Sequence, residues 1–366
     1  MELKGKVVLI ISPQSWEGQF VSKHHYALQL AKRGNDVYFL NPPVKKSTTK
    51  IEPTAYAKLN VISHSFWFNR KLRFHFRTLY DFLVKYHVKK VVEKIGGIDV
   101  VWSFEPNLYK SLNWFNADLK IYHPVDFIDE KKQIGLGKTS DFNFTVAENI
   151  LEKFYFKNPP SFFINHGLPD LFYNEIEFNI KNAKSIKFAY VGNLMIRGLD
   201  KQNIIKIIVQ NPTIQFDFYG SYSNEKGDDF ITFLENETNA TLKGIKSSSE
   251  LAVLLRKYTG FLLCYNPILE LNSGSNSHKI LEYLSFGKVI IANKILQYEN
   301  YRDLIQMSLR EDNTDYVHLF NATISKINEY NSEELFTKRR TLAFENTYAK
   351  QITRIEKIIS EKYNED

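Results

Sequence analysis

The sequence predicts an α/β protein of two doubly wound parallel sheets, and three observations predict it. Short apolar, β-branched runs alternate with longer helical patterns along the chain, as βαβ units require. These runs fall into two series separated by a polar, aperiodic stretch from Pro169 to Lys184. The length of 366 residues suits two domains at roughly 100–200 residues each.

The first series has strand candidates at Lys6–Ser12, Asp36–Asn41, Leu59–His64, Ile98–Phe104, Leu119–His123, Asp141–Val146 and Ser161–Asn165. An amphipathic run from Ser22 to Lys32 lies between the first two, and Gly34 supplies its stop. The second series runs through Ile186–Val191, Ile214–Tyr219, Gly260–Tyr265 and Lys288–Asn293. A charged helical pattern from Ser332 to Tyr363 follows with no strand after it, and Ile352, Ile355 and Ile359 give it one apolar face. The expected domains are residues 1–168 and 186–345, with a linker at 169–185 and a terminal helix at 346–366. Ligands of such sheets bind at the carboxyl ends of the strands.

Composition removes several function classes. A lone cysteine, Cys264, within a predicted strand, leaves no disulfide framework and no Cys-rich metal site. The N-terminal apolar run is too short for a secretory h-region, and no stretch of ~18 apolar residues exists to span a bilayer. A cytoplasmic location is expected. No G-x-G-x-x-G follows the first strand, and no Walker A, G-x-S-x-G, H-E-x-x-H or Asp-x-Asp motif is present.

One segment stands out: Asn272-Ser-Gly-Ser-Asn-Ser-His-Lys-Ile-Leu-Glu-Tyr-Leu-Ser-Phe-Gly-Lys-Val-Ile-Ile-Ala292 reads as a small-residue loop, a helix, a Gly stop and a buried strand. Ser275, Asn276 and Ser277 put backbone N–H groups where a diphosphate can bind. Lys279 and Glu282 share a helix face. The pair suits a nucleotide, with Lys on the diphosphate and Glu on ribose hydroxyls. An ordinary surface ion pair has the same spacing.

The segment resembles the nucleotide-sugar motif of GT-B glycosyltransferases, especially the retaining family 4, in which a Glu-x7-Glu pattern opens the helix. Glu282 matches the second Glu, which holds the ribose in that family. Gly274 stands where the first belongs, leaving Glu270 as the candidate for the donor-sugar contact. The Gly192-Asn-Leu-Met-Ile-Arg-Gly198 loop is similar to the family's Gly-Arg-Leu-x-x-x-Lys-Gly, which implies that Arg197 clamps the diphosphate. Gly220 and Lys243-Gly-Ile245 resemble its base-side loops, and Asn165-His-Gly-Leu-Pro-Asp-Leu-Phe172 the end of its N-domain. His123 matches a catalytic-site His of some members, although a backbone-bonded strand-end His reads the same. The resemblance implies two Rossmann-like domains facing a cleft, with the terminal helix crossing back to the N-domain.

Other candidates lie in the first half. Gly18 suits close approach of a loop to the donor phosphate, or a plain turn. Glu105 ends a strand on the expected ligand side, as an acceptor or donor-sugar contact or a solvated carboxylate. His24 and His25 read as structural, and Asp126, Asp129 and Glu130 as a solvated face.

Charge is unevenly divided. Residues 1–170 hold 24 Lys and Arg against 16 Asp and Glu, a net of +8 within the chain's +7. Arg70, Lys71, Arg73, Arg77, Lys85, Lys89, Lys90 and Lys94 interleave with Phe66, Trp67, Phe68, Phe74, Phe76 and Tyr80. No recognition motif for nucleic acid accompanies them. The segment reads as a patch for an anionic membrane surface, with a solvated face as the alternative. The whole predicts a metal-independent hexosyltransferase without a cofactor, moving sugar from a UDP- or GDP-sugar to a glycan or lipid-linked acceptor in bacterial surface-polysaccharide synthesis. A non-catalytic sugar-nucleotide-binding subunit and a nucleotide-sugar 2-epimerase are the alternatives.

Overall fold

The computed structural model describes residues 2–45, 48–126, 130–154, 159–173, 176–178, 185–223, 227–266, 268 and 276–363. The chain folds as two units, residues 1–167 with 348–366, and residues 168–347.

The first unit carries an eight-stranded sheet: β1 (Val7–Ile11), β2 (Asp36–Leu40), β3 (Lys50–Pro53), β4 (Leu59–Ser63), β5 (Val100–Ser103), β6 (Leu119–Tyr122), β7 (Phe142–Thr145) and β8 (Ser161–Phe163). Their order is β3-β4-β2-β1-β5-β6-β7-β8, and only β3 runs antiparallel to its neighbour. Alternate residues serve opposite faces of a strand. Val8, Ile10, Phe39 and Trp102 therefore join one core with helix α1 (Ser22–Lys32), while Leu9, Ile11, Leu40 and Val101 join another. That second core rests on the inner side of α3 (Arg77–Ile95), through Tyr80, Val84, Val88 and Val91. A short helix α2 (Leu72–His75) precedes α3. Gly34 ends α1 at φ +91°, as expected of a glycine stop.

The second unit has six parallel strands: β9 (Lys187–Val191), β10 (Gln215–Tyr219), β11 (Ala240–Gly244), β12 (Gly260–Leu263), β13 (Val289–Ala292) and β14 (Gln306–Met307). Their order is β11-β10-β9-β12-β13-β14, so strand order reverses at β9, as it does at β1 in the first sheet. Ligands gather at such switch points. All eleven predicted runs are strands, each a little shorter than expected, and Cys264 falls just past β12, fully buried.

The tail departs from expectation. One helix was predicted from Ser332 to Tyr363, but two form, Glu333–Phe344 and Tyr348–Tyr363. The break has a local cause: Asn346 caps the first helix through Leu342 O (2.8 Å), its own carbonyl accepts from Leu168 N (2.7 Å), and Thr347 pairs with Leu168 in a β-bridge. The first helix stays in the second unit. The last packs on α1 and buries Ile352, Ile355 and Ile359 in the first unit's core. Gly167 is required where the ring of Tyr348 crosses, since a Cβ there would lie 2.4 Å from Tyr348 Cγ. No helix among the described residues is long and apolar enough to cross a membrane.

Candidate functional site

In the second unit the site is built around a close approach of two glycines. The chain leaves β9 at Gly192, whose amide donates to Tyr219 O (2.8 Å). A Cβ at Gly220 would fall 1.8 Å from the Gly192 carbonyl oxygen, and Gly220 itself sits at φ +148°. A Cβ at Gly192 would meet the Tyr190 hydroxyl at 2.7 Å and the Lys279 ammonium at 2.9 Å. Glycine at both positions lets the loops after β9 and β10 lie backbone to backbone under a lysine. Lys279 is aimed there by Tyr265, whose hydroxyl accepts from Nζ (2.7 Å) and whose ring centroid lies 5.4 Å away. The same tyrosine bridges to Leu199, and Asn266 N donates to Gly198 O (2.7 Å), so the Gly192–Gly198 loop is pinned at its far end.

Lys279 opens a seven-residue helix, Lys279–Ser285, with Ile280, Leu281 and Leu284 buried as the pattern predicts. Tyr283 orients it: its hydroxyl accepts from Val191 N (2.9 Å) and its ring stacks on Phe261 at 4.5 Å. Glu282 is half-buried, with Oε1 3.9 Å from His278 Nε2. Burial pushes its carboxyl up to about 7, against the pull of Lys279. Cation, glycine wall and carboxylate thus meet at the carboxyl ends of β9 and β12, next to the switch point. The arrangement suits a ligand carrying anionic and hydroxyl groups.

The remaining predicted residues vary. Asn276 and Ser277 lead into the helix, where Ser277 O accepts from Ile280 N (3.1 Å). Arg197 is exposed on the pinned loop and makes no ion pair among the described residues. Lys243 lies 3.5 Å from the buried Asp217, which also accepts from Tyr258. It lines an open groove of about 880 Å³ with Lys246, Glu250 and Lys257. Ser275 and Glu270 lie outside the described residues, as does Asp129. Among the described residues no group of three or more His, Cys, Asp or Glu is placed so that it could hold a metal ion.

The first unit holds its own polar cluster at the strand ends. His123 follows β6 and is fully buried among the rings of Phe104 (5.0 Å), Tyr26 (5.3 Å) and Trp102 (6.0 Å). Neither ring nitrogen has a hydrogen-bond partner among the described residues, so none of the described backbone holds it as the backbone-bonded alternative expects. Burial, helped by His166 and Lys23, pushes its pKa down to about 3, leaving a neutral imidazole. Glu105 is buried after β5, not solvated, and Oε1 accepts from Asn107 N (2.6 Å) and Leu108 N (3.1 Å). Burial raises its pKa despite those bonds. Gly18 closes an exposed turn on Ser15 O (3.1 Å) with no left-handed φ, so a turn accounts for it. His24 is structural as expected, accepting from Val21 N (3.1 Å) and bonding Ser15 O (3.0 Å).

Sequence reasoning missed Lys23. It is 2% exposed in the first turn of α1, without a hydrogen bond or ion pair among the described residues. Burial pushes its ammonium down to about 8, with Asp126 and Glu105 working against it. The signal was present: Lys23 shares the buried stripe of α1 with Ala27 and Leu30, four and seven residues on. Tyr190 and Tyr265 were passed over because they read as ordinary strand residues.

No family model matches the sequence, and no curated protein matches it. Solved structures do match in fold. A sucrose-phosphate synthase from Thermosynechococcus elongatus superposes with a TM-score of 0.73 at 12% identity, over 99% of this chain and 100% of that one. Anabaena HepE in complex with UDP gives 0.71 at 12% identity, over 97% and 100%. An E. coli trehalose-6-phosphate structure bound with UDP-2-fluoro glucose gives 0.67 at 10% identity, over 97% and 98%. With two parallel-sheet units and full-length superposition on these proteins, the chain has the GT-B fold.

Proposed function

We propose that the protein is a hexosyltransferase that takes its sugar from a nucleoside diphosphate sugar. The observation that carries this is the Lys279 ammonium held by Tyr265 over Gly192, with Glu282 one turn along the same helix. In the reaction the bond from the anomeric carbon to the diphosphate breaks, a bond to an acceptor hydroxyl oxygen forms, and the hydroxyl proton passes to the departing diphosphate. Lys279 and Arg197 bind the departing diphosphate and Glu282 accepts from ribose hydroxyls, and the resemblance to family 4 gives His123 a part in catalysis. Asn276, Ser277 and the Gly192 backbone complete the donor site. UDP is the first base to test, since HepE and the E. coli protein carry UDP or a UDP-sugar. The resemblance to family 4 favours a retaining course and a glycan or lipid-linked acceptor in surface-polysaccharide synthesis, at the inner face of the membrane. Fixed cations take the role a metal would fill, so turnover is metal-independent in this reading.

The test is release of nucleoside diphosphate from a panel of UDP- and GDP-sugars, with and without EDTA. Slow donor hydrolysis that survives EDTA and falls at least tenfold in Arg197→Ala is expected. Tight binding without turnover would make the chain a non-catalytic subunit, and an epimerised donor would make it an isomerase.

A further inference from the structure

The outward face of the α2–α3 segment carries what a soluble helix face excludes. Trp67, Phe74, Phe76, Leu79, Phe82 and Tyr86 are 48–70% exposed, all within twenty positions. On α3 the division is sharp. Tyr80, Val84, Val88 and Val91 point into the unit's own core, while Leu79, Phe82 and Tyr86, at i, i+3 and i+7, form an apolar stripe on the other side. A contiguous exposed patch of this kind marks a contact surface.

The charge around the stripe says what it contacts. Its acidic residues are already engaged: Asp81 with Arg77 (2.9 Å) and Lys110 (3.7 Å), and Glu93 with Lys89 (3.9 Å) and Lys90 (3.1 Å). Arg70, Lys71, Arg73 and Lys85 are exposed and have no acidic partner among the described residues. Arg73 instead lies over the ring of Phe74 at 4.7 Å. Rings able to enter a headgroup layer, ringed by unpaired cations, complement an anionic lipid surface. The α3 helix cannot cross a bilayer, because its other side is packed on the sheet.

We propose that the Trp67–Tyr86 surface docks the protein on an anionic lipid bilayer, with Trp67, Phe74, Phe76 and Phe82 inserting and Arg70, Lys71, Arg73 and Lys85 held at the headgroups. This rests on the sugar-transfer reading only for its purpose, which is to keep the first unit beside a lipid-linked acceptor. Attraction and insertion are separable. The charge contribution fades as salt shortens the screening length, whereas the apolar contribution persists.

The test is co-sedimentation with vesicles of phosphatidylcholine alone or with 30% phosphatidylglycerol. Wild-type protein binds the anionic vesicles at low salt, retains part of that binding at about 1 M salt, and binds the neutral ones at least tenfold more weakly. A Trp67→Ser, Phe74→Ser, Phe82→Ser variant keeps its melting temperature, because those rings are exposed, and loses the salt-resistant part. An Arg70→Glu, Lys71→Glu, Arg73→Glu variant loses the preference for anionic lipid. Absence of wild-type binding at low salt overturns the proposal. So does a dimer, seen by sedimentation velocity, that the serine variant abolishes, because a second copy would then cover the stripe. Donor hydrolysis without vesicles is followed in parallel. It reports on the catalytic reading whichever way the vesicle result falls.

Discussion

Near neutral pH the Glu282 carboxyl is about half protonated, because burial lifts it to about 7. Ribose hydroxyls donate best to the ionised form, and bonds to charged groups contribute about 1.5–3 kcal/mol. Nucleoside diphosphate affinity, read by calorimetry, should therefore rise severalfold between pH 6 and pH 8. Glu282→Gln should flatten that rise, and Glu282→Ala should cost at least tenfold at pH 8. An identical slope in wild type and Glu282→Gln would remove Glu282 from the nucleotide site. His123 presents the opposite case, a buried imidazole whose ring packs on aromatic neighbours while its nitrogens find no hydrogen-bond partner among the described residues. Each unsatisfied buried polar atom costs about 1–3 kcal/mol, and the surrounding rings suit an apolar residue. His123→Phe should hold or raise the melting temperature while lowering donor turnover at least tenfold; a loss of stability with full activity would make the histidine structural.

At the scale of elements, legibility followed burial. Most of the eleven strands read from the sequence have apolar runs because they are covered on both faces; β8, a half-buried sheet edge, is the exception. The three that were missed, β3, β11 and β14, are all sheet edges. The β3 sequence Lys50-Ile-Glu-Pro53 is mostly exposed and ends on proline, and β14 is two residues long. The site divided in the same way. The Gly192–Gly198 loop and the Lys279–Glu282 pair are local in sequence and could be read. The contact of Gly220 with Gly192, the hydrogen bond from Lys279 to Tyr265 and the burial of Lys23 are tertiary and could not. The break before Tyr348 was invisible for the same reason, since its cause is Leu168, far back in the chain. The final helix nevertheless kept its predicted stripe, and Ile355 is fully buried. Ile355→Ala should cost about 2–5 kcal/mol of the first unit's stability, measured by denaturant unfolding. A cost below 1 kcal/mol would show that the helix docks without adding to that core.

At the scale of the whole molecule, the two units differ in how acid acts on them. His24, His64, His87 and His123 all have pKa values pushed below the ordinary 6.5, chiefly by burial, and all lie in the first unit. His64 reaches about 4, sharing a hydrogen bond with His87 (2.9 Å) and donating to Asn41 O (2.9 Å). A folded state that holds these rings neutral binds fewer protons than the unfolded chain. Their contribution is therefore complete above about 6.5 and is lost as pH falls toward 4. Carboxylates held low, such as Asp228 and Glu299, lose theirs only below their ordinary range, around 4. The raised carboxyls, Glu105 and Glu282, act in the opposite sense in the histidine window, one in each unit, and in the first unit four lowered histidines stand against the one raised carboxyl. The tryptophans make the test selective, because Trp16, Trp67, Trp102 and Trp114 all belong to the first unit, whereas far-ultraviolet circular dichroism reports both. Lowering the pH from 7 to 5 should bring the tryptophan-detected melting midpoint down by about 5 °C or more. The dichroism signal should split, with a later phase that moves less. Coincident transitions with equal shifts at both pH values would show that the buried histidines do not set the first unit apart.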